Sequence, residues 1–153
     1  MQRNVLEQGF TLIELLIVIV IIGVLASIAL PTYQHYVHKS QTMEAVVLVE
    51  PAKLAVDQYA LVNHGDLQNI SNDSLNLPSS TLVEGAKNVA SITISGQSDT
   101  QADIAVVMLN NLGTLTWTGT LDSTTDNMVW QCTYPTDSDL KNYAPYPCVS
   151  EGQ

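Results

Sequence analysis

Residues 10–30 are apolar almost without interruption, and Glu14 is their single ionisable side chain. At ~1.5 Å per residue, a helix over these 21 residues spans about 30 Å, the thickness of a bilayer core. Beyond it the pattern becomes one-sided. Ala45, Leu48, Ala52, Ala55, Tyr59 and Val62 recur with 3-4-3-4-3 spacing, while Lys39, Glu44, Glu50, Lys53 and Asp57 fall off that stripe. The spacing predicts one long helix from about residue 10 to about 62, stopped by Asn63-His64-Gly65-Asp66. Pro31 and Pro51 each remove a helical N–H and crowd the preceding turn, so both should bend the helix rather than end it. The first half of such a helix needs lipid or other copies around it, and the second half needs a covering sheet.

The remainder reads as loop, then sheet, then tail. Residues 63–88 hold Asn-Asp-Ser clusters and Leu77-Pro78 and predict a connecting loop with little regular structure. Asn69 and Asn72 there match the N-glycosylation triplet, a pattern that often arises by chance. Four short strands are predicted over 89–95, 103–109, 114–118 and 128–133, with tight turns at 96–99 and 110–113. Short turns imply an antiparallel meander whose apolar face covers the helix stripe, with Trp117 and Trp130 as core residues. Pro135, Pro145 and Pro147 in the tail are expected to prevent extension of the sheet. The fold class is therefore α+β, with a long kinked N-terminal helix packed on a four-stranded antiparallel sheet.

Composition and charge narrow the function. A chain of 153 residues is enough for one domain with a modest core. Its net charge is -10, with five Lys and Arg in all, and the acidic residues are scattered. Binding to bare nucleic acid or anionic lipid headgroups needs clustered cations, so direct nucleic-acid binding is not expected. Cys132 and Cys148 match no zinc spacing. They close one loop if the compartment is oxidising, or stay as two free core thiols otherwise. There is no Gly-rich phosphate loop, no HExxH and no nucleophile-elbow serine. His35 and His38 lie on the helix with no third ligand in view, and His64 borders the helix stop. Neither an enzyme nor a cofactor or metal site is predicted.

The apolar segment has three readings. A cleaved secretory signal fits poorly, because the run is long and Arg3 in front of it is offset by Glu7. A plain membrane anchor leaves Glu14 unexplained. A carboxylate in a membrane helix costs ~2.5–3.5 kcal/mol at its centre, which the fifteen Leu, Ile, Val and Phe side chains outweigh. An intramembrane acid calls for a partner, and the helix supplies no cation. Cleavage between Gly9 and Phe10 would create one, an α-amino group four residues before Glu14. Paired with Glu14 of a neighbouring copy, it would explain both the cut and the carboxylate.

Gly9-Phe10-Thr11-Leu12-Ile13-Glu14, followed by an apolar run ending in Leu30-Pro31-Thr32-Tyr33, resembles the class III signal of type IV pilins. The resemblance covers about the first 55 residues. It implies the type IV pilin fold, with residues 1–9 as leader, 10–30 as transmembrane and filament-core helix, 31–62 as its amphipathic continuation, 63–88 as the αβ-loop, 89–133 as the sheet and 132–153 as a disulfide-bounded region closed by Cys132 and Cys148. It implies cleavage after Gly9 and N-methylation of Phe10 by a prepilin peptidase, with Phe10 and Glu14 serving assembly. Gly23, Pro31 and Pro51 would be points of helix flexibility or kinking. The implied function is the major subunit of a type IVa pilus, supporting adhesion, twitching motility, biofilm formation or DNA uptake. A minor pilin or a type II secretion pseudopilin is the alternative. The implied partners are other copies of the chain, the peptidase, the assembly platform, minor pilins and, before assembly, the inner membrane, with the extracellular pilus as destination.

Overall fold

The computed structural model describes residues 10–77 and 85–152. Gly9, the rest of the predicted leader and the middle of the predicted αβ-loop lie outside the described residues. The chain divides into two compact units, Met1–Val37 and His38–Gln153. One helix, α1 (Leu12–Val62), contributes to both. It continues through Pro31 and Pro51, so neither proline ends it.

In the second unit, α1 meets a sheet of five strands in the order β1-β2-β3-β4-β5: β1 (Val89–Ser98), β2 (Gln101–Met108), β3 (Thr114–Leu121), β4 (Met128–Tyr134) and β5 (Val149–Ser150). The first four form the predicted antiparallel meander. β5 corrects the expectation of four strands, because it pairs in parallel with β4 through Thr133–Val149 and Tyr134–Ser150. The disulfide supplies the reason. It holds the Cα atoms of Cys132 and Cys148 4.4 Å apart, which sets Val149 beside Thr133. Pro145 and Pro147 precede that pairing, so their missing N–H groups are not asked for. Pro135 does stop β4, which ends at Tyr134.

The helix stripe also differs from the predicted one. The side chains buried against the sheet are Thr42, Ala45, Val49, Ala52, Val56 and Ala60. Only Ala45 and Ala52 were on the predicted face. Leu48, Ala55 and Tyr59 are half-buried beside it, and Val62 is exposed. Three of the six buried positions are alanine, and the larger Leu48 and Tyr59 lie half-buried at the flanks. The opposing sheet face supplies Ile104, Val106, Leu115 and Trp117 from alternate positions of β2 and β3.

Glycines mark two further corrections. The sequence pattern places Gly96 in a turn, but β1 runs through it to Ser98 and the turn falls at Asp99-Thr100. A side chain at Gly96 would strike the backbone of Leu67 and Gln68, and its N–H donates to Ile70 O at 3.2 Å. It is there for close backbone approach rather than for a turn. β3 extends past its predicted end because Gly119 leaves room for the Trp130 ring and Met128. The helix stop stands where predicted: His64 and Gly65 both have positive φ, and Gly65 N–H closes on Ala60 O at 2.8 Å.

Candidate assembly site

The start of α1 gives Glu14 a partner within its own helix. Oε2 of Glu14 accepts from the Thr11 N–H at 3.0 Å and from the Thr11 hydroxyl at 2.7 Å. The Glu14 N–H donates back to the Thr11 oxygen at 3.3 Å. Thr11-x-x-Glu14 is thus a capping box, and its Thr/Glu spacing is the sequence signal that could have revealed it. Glu14 stabilises its own helix end while remaining exposed. Phe10 precedes this box and is also exposed.

Every Leu, Ile, Val and Phe from Phe10 to Leu30 is exposed in the single chain. The helix is long and apolar enough to cross a membrane, and none of its most apolar stretch is buried. An apolar surface of this extent is stable in water only when covered. A Cβ built at Gly23 meets nothing within 4 Å, so the single chain places no steric demand for glycine there. Near Pro31, the hydroxyls of Ser27 and Thr32 donate to Val24 O and Ile28 O at 2.7 and 3.1 Å.

In the second unit, three polar attachments fix α1 on the sheet side. The buried Thr42 hydroxyl lies 2.7 Å from Tyr143 O and 2.9 Å from Lys39 O, so its one proton is shared between two carbonyls. The Glu44 carboxylate accepts from the Lys87 N–H at 2.6 Å and from the Asn88 amide at 2.5 Å. Burial pushes the Glu44 pKa up, but these donors and the Lys87 charge outweigh it and hold the carboxyl below its ordinary value. Asp57 accepts from the Trp130 indole N–H at 3.1 Å. Trp117 is buried as predicted, whereas Trp130 is half-buried, and Lys53 lies 5.8 and 6.0 Å from the two ring centroids.

Cys132 and Cys148 form the disulfide. The Asn72 amide bonds Ile92 O and the Ile94 N–H at 2.9 and 2.7 Å, which docks the described part of the loop on β1. His38 Nδ1 is 3.1 Å from Gln41, and its ring lies 4.9 Å from that of Tyr143.

Comparison with known proteins agrees with this architecture. A family model described as pilin, a bacterial filament, matches residues 38–149, and the prokaryotic N-terminal methylation motif matches residues 6–30. A type IV major alpha-pilin of Moraxella bovis is 34% identical over 95% of this chain and 98% of its own length. A fimbrial protein of Neisseria meningitidis is 48% identical over 60% of this chain and 52% of its own. The type IV major pilin PilE of Neisseria gonorrhoeae is 49% identical over 54% of this chain and 48% of its own. The matches thus span about half the length of these Neisseria relatives. With a methylation-motif helix leading into a disulfide-closed sheet that the filament family matches over residues 38–149, this chain belongs to the pilin family.

Proposed function

We propose that this chain is the major structural subunit of a type IV pilus, made as a membrane-anchored precursor and polymerised through α1. The observation that carries the reading is the exposure of every Leu, Ile, Val and Phe in residues 10–30, a segment whose single ionisable side chain is Glu14. Before assembly, lipid of the inner membrane covers that surface; in the fibre, other copies of the same helix do. Prepilin peptidase cuts after Gly9 and methylates Phe10. The new amine then competes with Thr11 for the Glu14 carboxylate, and a neighbour's amine fixes the axial stagger between copies. Gly23, Pro31 and Pro51 are the places where the helix loosens or bends during that transfer. The assembly platform and minor pilins complete the machinery.

The relatives, fimbrial proteins and major pilins by name, favour a major subunit over a minor pilin or a pseudopilin. Mass spectrometry of sheared surface filaments tests this. An abundant peptide beginning at methylated Phe10 is expected. Absence of the chain from filaments, with piliation intact after its deletion, overturns the proposal.

A further inference from the structure

Within the Met1–Val37 unit, the apolar surface of α1 ends on two tyrosines. Phe10 is the only aromatic residue of the segment 10–30, and Tyr33 and Tyr36 then follow in quick succession, both exposed. Polar side chains resume around them as Gln34 and His35, and Lys39 is the first Lys or Arg after Arg3. Before them, the Ser27 and Thr32 hydroxyls are taken by Val24 O and Ile28 O at 2.7 and 3.1 Å, so neither donor needs water. The helix surface thus changes from one suited to hydrocarbon to one with polar tips between Thr32 and Tyr36.

The two rings also belong to a groove. Tyr33 and Tyr36 line it together with Leu25, Ile28, Ala29 and Thr32. An acyl chain lying along this groove meets apolar side chains first and phenol rings last. Rings with an apolar body and a polar tip favour the headgroup layer over both hydrocarbon and water.

Spacing along the helix supplies a second, independent argument. Tyr33 and Tyr36 follow Glu14 by 19 and 22 residues, a rise of about 29 to 33 Å along α1. A bilayer core is ~30 Å thick. With the rings in one headgroup layer, Glu14 and the capped start of α1 reach the other, where a carboxylate costs less than at the centre. Other copies would cover the same groove in a fibre, but this match to bilayer thickness singles out lipid as its occupant before assembly.

We infer that Tyr33 and Tyr36 anchor α1 at the headgroup layer of a phospholipid bilayer and set the depth of the helix. They thereby hold the bond after Gly9 at the opposite face, where the leader is cut. This rests on the membrane-anchored reading above and adds what fixes the helix at that depth. Both are positioning residues, acting on cleavage only through depth.

The test places a tryptophan at either ring, Tyr33→Trp or Tyr36→Trp, in the full chain reconstituted in phosphatidylcholine vesicles. The acyl chains are brominated either near the headgroup or near the chain end, and the signal of Trp117 and Trp130 is subtracted with the unsubstituted chain. The expected result is at least twofold stronger quenching of the new indole by the shallow bromines. Equal or stronger quenching by the deep bromines, or none by either, overturns the inference. Val20→Trp separates the two readings: it is quenched by the deep bromines if α1 inserts, and its lack of quenching overturns the membrane-anchored reading instead. A second measurement follows leader removal by prepilin peptidase in membranes. Tyr33→Leu with Tyr36→Leu keeps apolar bulk but loses both polar tips, and removal slows several-fold, whereas the two Trp variants retain the wild-type rate. Unchanged removal in the Leu variant overturns the claim that these rings set the depth.

Discussion

Asp57 on α1 and Trp130 on β4 are joined by one hydrogen bond, indole N–H to Oδ1 at 3.1 Å, across 73 residues of chain. Burial pushes the Asp57 pKa up; the Trp130 bond and Lys53 oppose it, and Glu50 adds to it. The folded chain therefore holds this proton more tightly than the unfolded one. Stability falls as pH rises from the ordinary aspartate value through the folded one. Asp57→Asn keeps an acceptor for Trp130 and removes that decline. Thermal melts of the detergent-solubilised chain across acidic pH read the difference, and parallel wild-type and variant curves would refute it.

Glu44 has the opposite sign. Its folded pKa lies below the ordinary one, so its contribution is present above the unfolded value and is lost as pH falls through the folded value. Glu44→Ala also leaves the Lys87 N–H and the Asn88 amide without their acceptor. Partial solvation limits the cost to about 1 kcal/mol. Urea titrations near neutral pH should show that loss, and it should shrink in acid.

Leu115 is fully buried between the helix stripe and the neighbouring strands. Leu115→Ala removes its packing and leaves a cavity, at a cost of about 2–5 kcal/mol. A loss under 1 kcal/mol in chemical denaturation would mean that the site collapses around the gap.

Cys148→Ser opens a loop with a sequence separation of 16, and the expected loss is about 3 kcal/mol. Because the disulfide aligns β5 with β4, Val149 and Ser150 should lose protection from hydrogen exchange before the meander does. Retained protection at β5 would show that the strand pairs without the bridge.

Glu14 has two roles that separate by substitution. Gln at this position still closes a capping box with Thr11 but carries no charge. If assembly depends on charge pairing with the Phe10 amine, Glu14→Gln and Glu14→Ala both leave leader removal largely intact and both impair fibre formation. Normal fibre yield from Glu14→Gln would leave capping as the function of the residue.

The sequence by itself determined α1, its stop at His64-Gly65, the four antiparallel strands and the exposed apolar surface, because each is written in local terms: hydrophobic period, turn chemistry and an uninterrupted apolar run. The Thr11–Glu14 box is equally local, written in the Thr-x-x-Glu spacing. Other features had no local signal. Which side of α1 faces the sheet was decided by how the packed sheet and tail cover Thr42, Ala45, Val49, Ala52, Val56 and Ala60, not by which side chains are largest. Gly96 looked like a turn residue until the backbone of Leu67 came to lie against it. β5 exists because a covalent bond brings residue 148 beside residue 132. The lysines and acids mixed at one end of the sheet, and the aspartates at the other, come from residues as distant in sequence as Lys39 and Lys141, or Asp66 and Asp126. Only the closing of the meander over the helix brings each set together, since long-range pairing is a property of the packed chain and not of any segment within it.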